Sequence, residues 1–347
     1  MKKISLMKKL AAVSMSAALA ASLAACTPTP AAQQQSSNET ANEATDDAAT
    51  PSTDKKYTVG ICQLVQHEAL DAATTGFKDV LLDEFGENVS FDEQNAAGDS
   101  AQCVTICTGF AANGVDLILG NATPALQAAA SSTSEIPVLG TSITEYGVAL
   151  SIDDFSGTVG GNISGTSDLA PLDQQADMIT ELVPDAQNVG ILYCSAEANS
   201  VYQSNTVQSA LEAKGLNVTV YTFSDSNDVA SVTESACSEN DVLYIPTDNT
   251  AASCTEAINN VALPAGVPIV CGEEGLCKGC GIATLSIDYY ELGRTTGAMA
   301  VKILKGESNI SDMPVEYYTN PVKKYNADIC SQLGIKVPEG YEAISND

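Results

Sequence analysis

Short apolar runs alternate with amphipathic stretches along most of the chain, and this alternation occurs twice. Residues 242–245 form an apolar run typical of a buried parallel strand, a polar turn at residues 247–250 follows, and a helical pattern begins at Ala251. Residues 116–126 repeat this unit with a polar turn at residues 121–123. In α/β folds such turns lie at the carboxyl end of the sheet, where ligands bind. One copy in each half of the chain predicts two similar lobes that face each other.

The same pattern predicts the order of elements in each half. In the first half, strands are expected at residues 57–62, 89–94, 115–119 and 137–142, and helices at 70–84, 101–112 and 123–132. In the second half, strands are expected at 188–193, 217–222, 242–245 and 267–271, and helices at 172–182, 201–214, 229–237 and from 251 onward. A crossover is expected at 157–171, and a strand, a helix, a strand and a short helix at 283–287, 289–305, 315–319 and 326–333. Such alternation implies parallel sheets with right-handed crossovers.

The N-terminal residues differ from the rest of the chain. Four lysines precede an apolar run at residues 10–23, and residues 23–26, Leu-Ala-Ala-Cys, look like a bacterial lipobox. We expect a signal peptide at residues 1–25, cleavage before Cys26 and a lipid on its thiol. An ordinary secretory signal followed by a cysteine and a short membrane helix are the alternatives, although the run is too short to span a bilayer. Residues 26–56 contain almost no large apolar side chain and predict a lipid-anchored disordered tether.

Charge and reactive residues exclude several classes of function. The formal net charge of −29 repels nucleic acid, so no nucleic-acid partner is expected. Cys277 and Cys280 form a Cys-X-X-Cys motif in a Gly-rich stretch that predicts a loop, and His67 is the only histidine. Free thiols or a structural disulfide are therefore favoured over a metal or redox site, and no metal and no cofactor is expected. Arg294, the only arginine, falls in a predicted helix, so hydroxyls and helix N-terminal amides are the expected partners of an anionic ligand group.

Several motifs together resemble one protein family. They are the lipobox and the segments QLVQHEALD (63–71), NATPALQAA (121–129), SGTSDLAPLDQQ (164–175), LYCSAEANSVYQ (192–203), YIPTDNTAASCTEAINN (244–260) and GEEGLCKGCG (272–281). Over residues 57–345 the chain is similar to substrate-binding lipoproteins of bacterial ABC importers, in the family typified by tryptophan and other aromatic amino-acid binding proteins. The resemblance implies an α/β fold of the type I periplasmic-binding-protein kind. Its two doubly wound parallel-sheet lobes are joined by a three-strand hinge and close on a ligand between them.

The resemblance also implies how the chain divides into lobes. We expect residues 57–145 and 283–308 in the N-terminal lobe, and residues 146–282 and 309–347 in the C-terminal lobe. The turns that follow the strands of both lobes should then converge on the cleft between them.

Polar residues in these turns are the candidate ligand-binding residues. They are Gln66, His67, Asn121, Ala122, Thr123, Thr141 and Ser142 in the first lobe, and Ser195, Ala196, Glu197, Asn199, Tyr202, Thr247, Asp248, Asn249 and Glu273 in the second. Ser167 and Asp168 are expected near the cleft mouth.

Other interpretations of these residues stay open. Asn121, Asn199 and Asp248 can be helix caps alone, His67 and Glu273 can be solvated, and Tyr202 can belong to the core. A zwitterionic ligand would find partners of both charges. Ser195, Thr123 and the amides of Ala122 or Ala196 suit a carboxylate, and Asp248 or Glu273 suits an ammonium group.

The resemblance implies a solute receptor that is not an enzyme. The leading hypothesis is an extracytoplasmic solute-binding lipoprotein that closes on a small ligand, expected to be an amino acid with aromatic ones among the candidates, and delivers it to an ABC permease and its ATPase. It is expected to be a monomer, held at the outer face of the bacterial cytoplasmic membrane by the lipid on Cys26. A lipid-anchored ligand sensor or presenter is the second hypothesis. An exported hydrolase is the third, although the sequence has no Gly-X-Ser-X-Gly motif.

Overall fold

The computed structural model describes residues 55–345, which belong to one compact unit. The expected signal peptide at residues 1–25, the lipid-bearing Cys26 and the tether up to residue 54 lie outside the described residues. Within residues 55–345, no helix is both long enough and apolar enough to cross a membrane.

The described chain alternates between strands and helices as the sequence pattern predicts. The strands are β1 (Tyr57–Gln63), β2 (Val89–Asn95), β3 (Leu117–Asn121), β4 (Val138–Ile143), β5 (Ile163–Ser167), β6 (Asn188–Cys194), β7 (Asn217–Phe223), β8 (Val242–Ile245), β9 (Ile269–Cys271), β10 (Ala283–Ser286), β11 (Glu316–Tyr317), β12 (Val322–Tyr325) and β13 (Glu342–Ala343). The α-helices are α1 (Glu68–Phe85), α2 (Ser100–Asn113), α3 (Thr123–Ser132), α4 (Tyr146–Leu150), α5 (Leu172–Leu182), α6 (Ala198–Ala213), α7 (Val229–Glu239), α8 (Asn249–Ala252), α9 (Thr255–Ala265), α10 (Glu274–Cys280), α11 (Tyr289–Leu304) and α12 (Ala327–Leu333).

The first lobe is built on a parallel sheet in the order β11-β5-β4-β3-β1-β2. β3 and β4 are buried along their whole length, because helices cover both faces of the sheet. α2 and α3 cover one face with a core that includes Phe110 and Leu126. α1 and α11 cover the other face with Phe77 and Met299. Successive strand residues contribute to the two cores in turn, as the pleat requires.

The second lobe is built on a sheet in the order β13-β12-β10-β9-β8-β6-β7, in which β12 runs antiparallel to β10. Tyr244 and Ile191 face a core shared with α5 and α6. Leu243 and Ile245 face the opposite core, shared with α7 and α9. The turns after β6, β8 and β9 therefore emerge at one edge of this sheet.

The chain passes between the two sheets three times. The crossing segments are residues 168–171 between β5 and α5, 287–288 between β10 and α11, and 318–321 between β11 and β12. Two doubly wound parallel-sheet lobes joined by three crossings confirm the predicted fold class.

Three strands lie in a different sheet from the one that the expected lobe boundaries imply. β10 belongs to the second sheet, whereas β5 and β11 belong to the first. The sequence at residues 163–167 predicts only a crossover, because Gly and Ser are poor strand formers. In the fold, β5 pairs with β4 and is almost entirely buried, so tertiary pairing overrides propensity.

The Cys-X-X-Cys motif lies in helix α10 and not in a loop. The Glu273 side chain caps this helix by accepting hydrogen bonds from its first-turn amides, a contact that the Gly-rich sequence does not reveal. Cys277 and Cys280 are buried in the core of the second lobe. All ten cysteines of the described chain are free thiols.

Candidate ligand-binding site between the lobes

The turns of the two lobes meet in a closed arrangement. The His67 ring Nε2 lies 3.2 Å from Asn249 Oδ1 across the interface. Lys278 Nζ lies 3.4 Å from Glu68 Oε1 at the rim of the same interface. Ala69 of α1 also packs against the core of the second lobe. The polar turns therefore face each other at short range.

The turn after β3 leads into an uncapped helix. Ala122 is the N-cap residue of α3, and no side chain caps this helix. Ala122 has φ 85° and ψ 157°, a conformation that residues other than glycine rarely adopt. Pro124 has no N–H, and the Leu126 N–H donates to the Ala122 carbonyl at 3.0 Å. The Thr123 and Ala125 N–H groups are therefore the first-turn donors without an intrahelical partner, and they suit an anion.

Asn121 supports this turn from inside the first lobe. Its Nδ2 donates hydrogen bonds to the Leu70 carbonyl at 2.8 Å and to Thr74 Oγ1 at 2.9 Å. These bonds tie β3 to α1. The Asn121 Oδ1 is buried and has no hydrogen-bond partner.

Two hydroxyls near the C-terminal end of β4 differ in their partners. Ser142 has φ 57°, and its buried Oγ has no hydrogen-bond partner. Thr141 turns inward, where its Oγ1 lies 3.4 Å from Thr166 Oγ1 and 3.1 Å from Thr296 Oγ1. The Ser142 hydroxyl thus lacks a partner within the described protein, whereas the Thr141 hydroxyl bonds within the first lobe.

His67 lies at the start of α1 and is partly buried, whereas Gln66 is exposed. Burial is the main cause that lowers the pKa of His67, so the ring is neutral at neutral pH. Its Nδ1 is buried without a partner. The ring is therefore part of the interface and not a solvated surface group.

Glu197 uses both carboxylate oxygens inside the second lobe. Its Oε2 accepts from the Asn249 backbone N–H at 3.1 Å and from Asn249 Nδ2 at 2.6 Å. Its Oε1 accepts from the backbone N–H and the hydroxyl of Thr250, both at 2.8 Å. Glu197 thus caps α8 and orients the Asn249 side chain that meets His67.

Asp248 is also fully engaged within the second lobe. Its Oδ2 accepts from the Cys194 N–H and from Ser200 Oγ, both at 2.7 Å, and its Oδ1 accepts from the Ala251 N–H at 2.8 Å. Burial, and secondarily the charge of Glu197, raises the pKa of Asp248 to about 7. This carboxylate ties the turn after β6 to the turn after β8, and neither of its oxygens lacks a partner.

The Thr247 peptide is held by two buried side chains of α6. Gln203 Oε1 accepts from the Thr247 N–H at 3.1 Å, and Gln203 Nε2 donates to the Thr247 carbonyl at 3.2 Å. Asn199 Nδ2 donates to the same carbonyl at 3.0 Å, and its buried Oδ1 has no partner. The sequence could have indicated Gln203 as a site residue, because residues 199, 200, 203 and 204 place polar side chains on the buried face of a helix.

The remaining candidates of the second lobe do not converge on the interface in the same way. Glu273 is buried and caps α10 through the Gly275 and Leu276 amides, and burial raises its pKa to about 7. Ser195 and Ala196 are exposed, and Tyr202 packs against the core. Glu273 therefore matches the capping interpretation and Tyr202 the core interpretation, although Ala196 and Glu273 also line cavities between the lobes.

Asp168 has a position that the sequence analysis did not anticipate. It lies in the first crossing segment, at the hinge and not at the cleft mouth, and only 3% of its surface is exposed. Its Oδ2 accepts a hydrogen bond from the Tyr289 hydroxyl at 2.9 Å, and the Thr144 side chain also interacts with the carboxylate. Its Oδ1 has no hydrogen-bond partner of normal geometry. Burial raises the pKa of Asp168 to about 6.

Two cavities adjoin this interface. One of about 130 Å³ lies between the lobes and is lined by Val65, Gly98, Pro124, Ala196, Glu197 and Thr250, among others. The second, of about 410 Å³, lies beside the crossing segments and is lined by Glu68, Glu273, Ser286, Tyr289, Tyr318 and Lys324, among others. Both lobes contribute to each cavity, as expected for a protein that binds a ligand between lobes.

Two α/β lobes, three crossings and polar turns that face each other define a two-lobed solute-binding protein. Residues 58–345 match the family of ABC transporter substrate binding proteins, and the chain belongs to this family. Members of the family bind solutes and are not enzymes, so the prediction that the chain is not an enzyme is confirmed.

Relatives and solved structures are similar over most of the chain. A tyrosine-binding protein from Clostridioides difficile (strain R20291) is 34% identical over 286 residues, which cover 81% of each chain. The ABC domain in complex with L-Trp from Streptococcus pneumonia is 32% identical with a TM-score of 0.79, over 84% of this chain and 100% of that one. The ligand-free, open structure of a substrate binding protein with adhesive properties from Clostridium difficile is 35% identical with a TM-score of 0.63, over the same shares.

Proposed function

We propose that the chain binds an L-amino acid with an aromatic side chain between its lobes and delivers it to an ABC importer. Two similar proteins support this ligand class, because one is named a tyrosine-binding protein and the other was solved with L-Trp. The observation that carries the proposal is a set of buried polar atoms in the interlobe turns that have no partner within the protein.

These atoms are of two complementary kinds. Ser142 Oγ and the Thr123 and Ala125 amides of α3 can donate hydrogen bonds, whereas Asp168 Oδ1, Asn199 Oδ1 and the Nδ1 of the neutral His67 ring accept them. Burying either kind without a partner costs free energy. An amino acid brings a carboxylate for the donors and an ammonium group for the acceptors, so one ligand satisfies both.

The carboxylate is assigned to the α3 amides and Ser142. Arg294 is not available, since it lies on α11 beside Glu291 and stacks near the Tyr290 ring. The assignment keeps the sequence expectation for Thr123, whereas the Ala122 N–H already donates to the Thr141 carbonyl at 3.1 Å. It replaces the expectation that Asp248 or Glu273 receives the ammonium group, because the structure commits both carboxylates to amides of their own lobe.

Ligand binding is proposed to close the hinge. The chain has a TM-score of 0.79 with the L-Trp complex but only 0.63 with the open, ligand-free structure, although the latter is slightly more similar in sequence. We attribute the lower TM-score with the open structure to a different angle between its two lobes. The cross-lobe contact between His67 and Asn249 supports the same closed arrangement.

The proposal includes an address and partners. Substrate-binding proteins of ABC importers are extracytoplasmic. We propose that the signal peptide ending at residue 25 is removed and that a lipid on Cys26 holds the protein at the outer face of the membrane. From there a monomer would reach the permease and its ATPase.

Binding is tested by calorimetry and thermal shift on the chain that starts at residue 27. L-Trp, L-Tyr and L-Phe are compared with L-Ala, a nucleoside and a hexose. A ligand present at a hundred times its dissociation constant stabilises the folded state by about 2.7 kcal/mol. We expect this for at least one aromatic amino acid. Stabilisation by the nucleoside or the hexose alone would refute the ligand class and leave the fold assignment intact.

Anchoring and delivery are tested in cells. Cys26→Ser is expected to release the protein from the membrane fraction without changing the affinity of the purified chain. Uptake of the labelled amino acid should fall in cells that lack the protein. Unchanged uptake alongside tight binding would favour the sensor or presenter hypothesis.

A further inference from the structure

We infer that Asp168 receives the ammonium group of the ligand and that Tyr289 positions this carboxylate and links it to the hinge. The inference rests on the proposed function, since it presumes a ligand with an amine. It adds a specific ligand contact at Asp168 and a connection from that contact to the hinge through Tyr289.

Asp168 differs from the other buried acidic residues of the described chain. Glu197, Asp248 and Glu273 each accept hydrogen bonds on both oxygens from groups of the second lobe. Asp168 alone keeps one buried oxygen, Oδ1, without a hydrogen bond of normal geometry, although the Thr144 side chain also interacts with this carboxylate. None of the other three buried carboxylates therefore has an unpaired oxygen that could receive an ammonium group.

An unpaired oxygen of a buried carboxylate is energetically unfavourable. Transfer of a charged group out of water costs several kcal/mol unless it is paired and hydrogen-bonded. The burial that raises the pKa of Asp168 to about 6 reflects the same cost. A ligand ammonium group would supply both the opposite charge and the missing donors.

The position of Asp168 relative to α3 suits a small zwitterion. Asp168 follows β5 and Ala122 follows β3, with only β4 between them in the sheet. Two strand spacings place these turns about 10 Å apart. The two turns therefore lie on neighbouring parts of one sheet edge, close enough for the ammonium group and the carboxylate of one small ligand to reach both.

Tyr289 connects this contact to the moving parts of the fold. Its hydroxyl donates to Asp168 Oδ2 at 2.9 Å. Because Asp168 lies in the first crossing segment and Tyr289 directly follows the second, this hydrogen bond joins the two segments. The same hydroxyl interacts with Thr247 in the second lobe. Tyr289 also begins α11, which packs on α1, the helix that follows His67. A charge bound at Asp168 thus acts on two of the three crossings.

The test combines changes in the protein with changes in the ligand. The mature protein is titrated with L-Trp and with indole-3-propionate, which keeps the carboxylate and the indole but lacks the amine. Because the chain contains no tryptophan, all indole fluorescence comes from the ligand, and its change on binding reports the bound fraction. Wild type is expected to bind indole-3-propionate at least 100-fold more weakly than L-Trp, a comparison that requires no variant to fold.

The variants then identify the partner. Asp168→Asn should weaken L-Trp binding by about 100-fold and indole-3-propionate binding by less than threefold, while Asp173→Asn, an exposed neighbour on α5, changes neither. Tyr289→Phe should weaken L-Trp binding about tenfold with the same dependence on the amine, which a purely structural role would not produce. Equal losses for both ligands in Asp168→Asn, or no loss, would overturn the inference. A wild-type protein that binds no aromatic amino acid would overturn the proposed function and the inference with it.

Discussion

Asp248 shows how much a single buried side chain can do without contacting a ligand. Three donors from three different segments converge on it, namely the Cys194 amide, the Ser200 hydroxyl and the Ala251 amide. Two polar turns of the second lobe keep their relative position through this carboxylate. We therefore expect it to build the site rather than to contact the ligand.

Asp248→Ala is expected to lower stability more than affinity. The substitution leaves three buried donors unsatisfied, and each costs about 1 kcal/mol or more, so the free energy of unfolding should fall by about 3 kcal/mol. Urea denaturation measures this change. Ser195→Ala, which removes an exposed hydroxyl bonded to the Phe223 carbonyl, serves as the control and should change it by less than about 0.5 kcal/mol. Lost ligand affinity with unchanged stability would assign Asp248 to the ligand instead.

Ligand affinity is expected to fall on acidification because of Asp168. Its pKa is raised to about 6 by burial, and only the ionised form attracts an ammonium group. Below pH 6 the free protein must lose a proton to bind, so affinity should drop about tenfold per pH unit until the pKa of the complex is reached. Calorimetric titrations with L-Trp between about pH 4.5 and about pH 8 measure this slope.

The neighbours of Asp168 define the controls for this pH dependence. Tyr289 and Tyr146 face it and remain protonated in this range, because burial raises the pKa of both hydroxyls. Protonation of His67 would favour a ligand carboxylate and act in the opposite direction. Asp168→Asn should therefore abolish the acid loss of affinity, and its persistence in that variant would assign the loss to another group.

At the scale of elements, α1 and α11 approach each other through glycines. A Cβ added at Gly293 would lie 2.0 Å from the Ala73 carbonyl oxygen, and one added at Gly76 would lie 2.1 Å from the Tyr290 carbonyl oxygen. No side chain fits between these backbones. Because α11 begins directly after the second crossing segment, this contact holds the hinge side of the first lobe.

Gly293→Ala is expected to destabilise the protein although alanine is the better helix former. The added methyl group must separate two backbones, and overpacking of this kind costs about 1–3 kcal/mol or more. Gly109→Ala is the matched control, since Gly109 lies in α2 with nothing within 4 Å of an added Cβ. That substitution should stabilise the protein by about 0.5–1 kcal/mol. Thermal unfolding of both variants measures the difference, and similar midpoints would argue against the close contact.

Most elements follow from the sequence because their burial pattern is local. Residues 123–132, 172–182 and 242–245 are expected with the same boundaries that the fold has. β5 escapes prediction for a non-local reason, because it is held by pairing with β4. α10 begins with a local cap, since Glu273 directly before it accepts from the Gly275 and Leu276 amides, and the glycines of residues 272–281 obscured this signal.

At the scale of the molecule, the three crossings predict a hinge movement. Without ligand, nothing offsets the buried unpaired groups of the closed interface, so the open form should predominate. The closed form of a domain of this size has a radius of gyration of about 19 Å. Small-angle scattering of the chain truncated before Lys55 should show a larger radius without ligand and contraction to this value with L-Trp. The Asp168→Asn variant at the same L-Trp concentration is the control and should stay open. A wild-type radius of gyration that does not change when L-Trp is added would contradict hinge closure.

The sequence by itself determined the two α/β lobes, the positions of the polar turns and the family, because alternating burial and turn chemistry are written in neighbouring residues. Only the tertiary structure decided which turn residues remain available to a ligand. Asp248, Glu197 and Thr141 look like ligand contacts in the sequence, but their partners come from distant segments and use up their hydrogen-bonding capacity. Asp168 and Ser142 are left with unpaired buried atoms for the same reason, since whether a polar group is satisfied depends on what the rest of the fold brings to it.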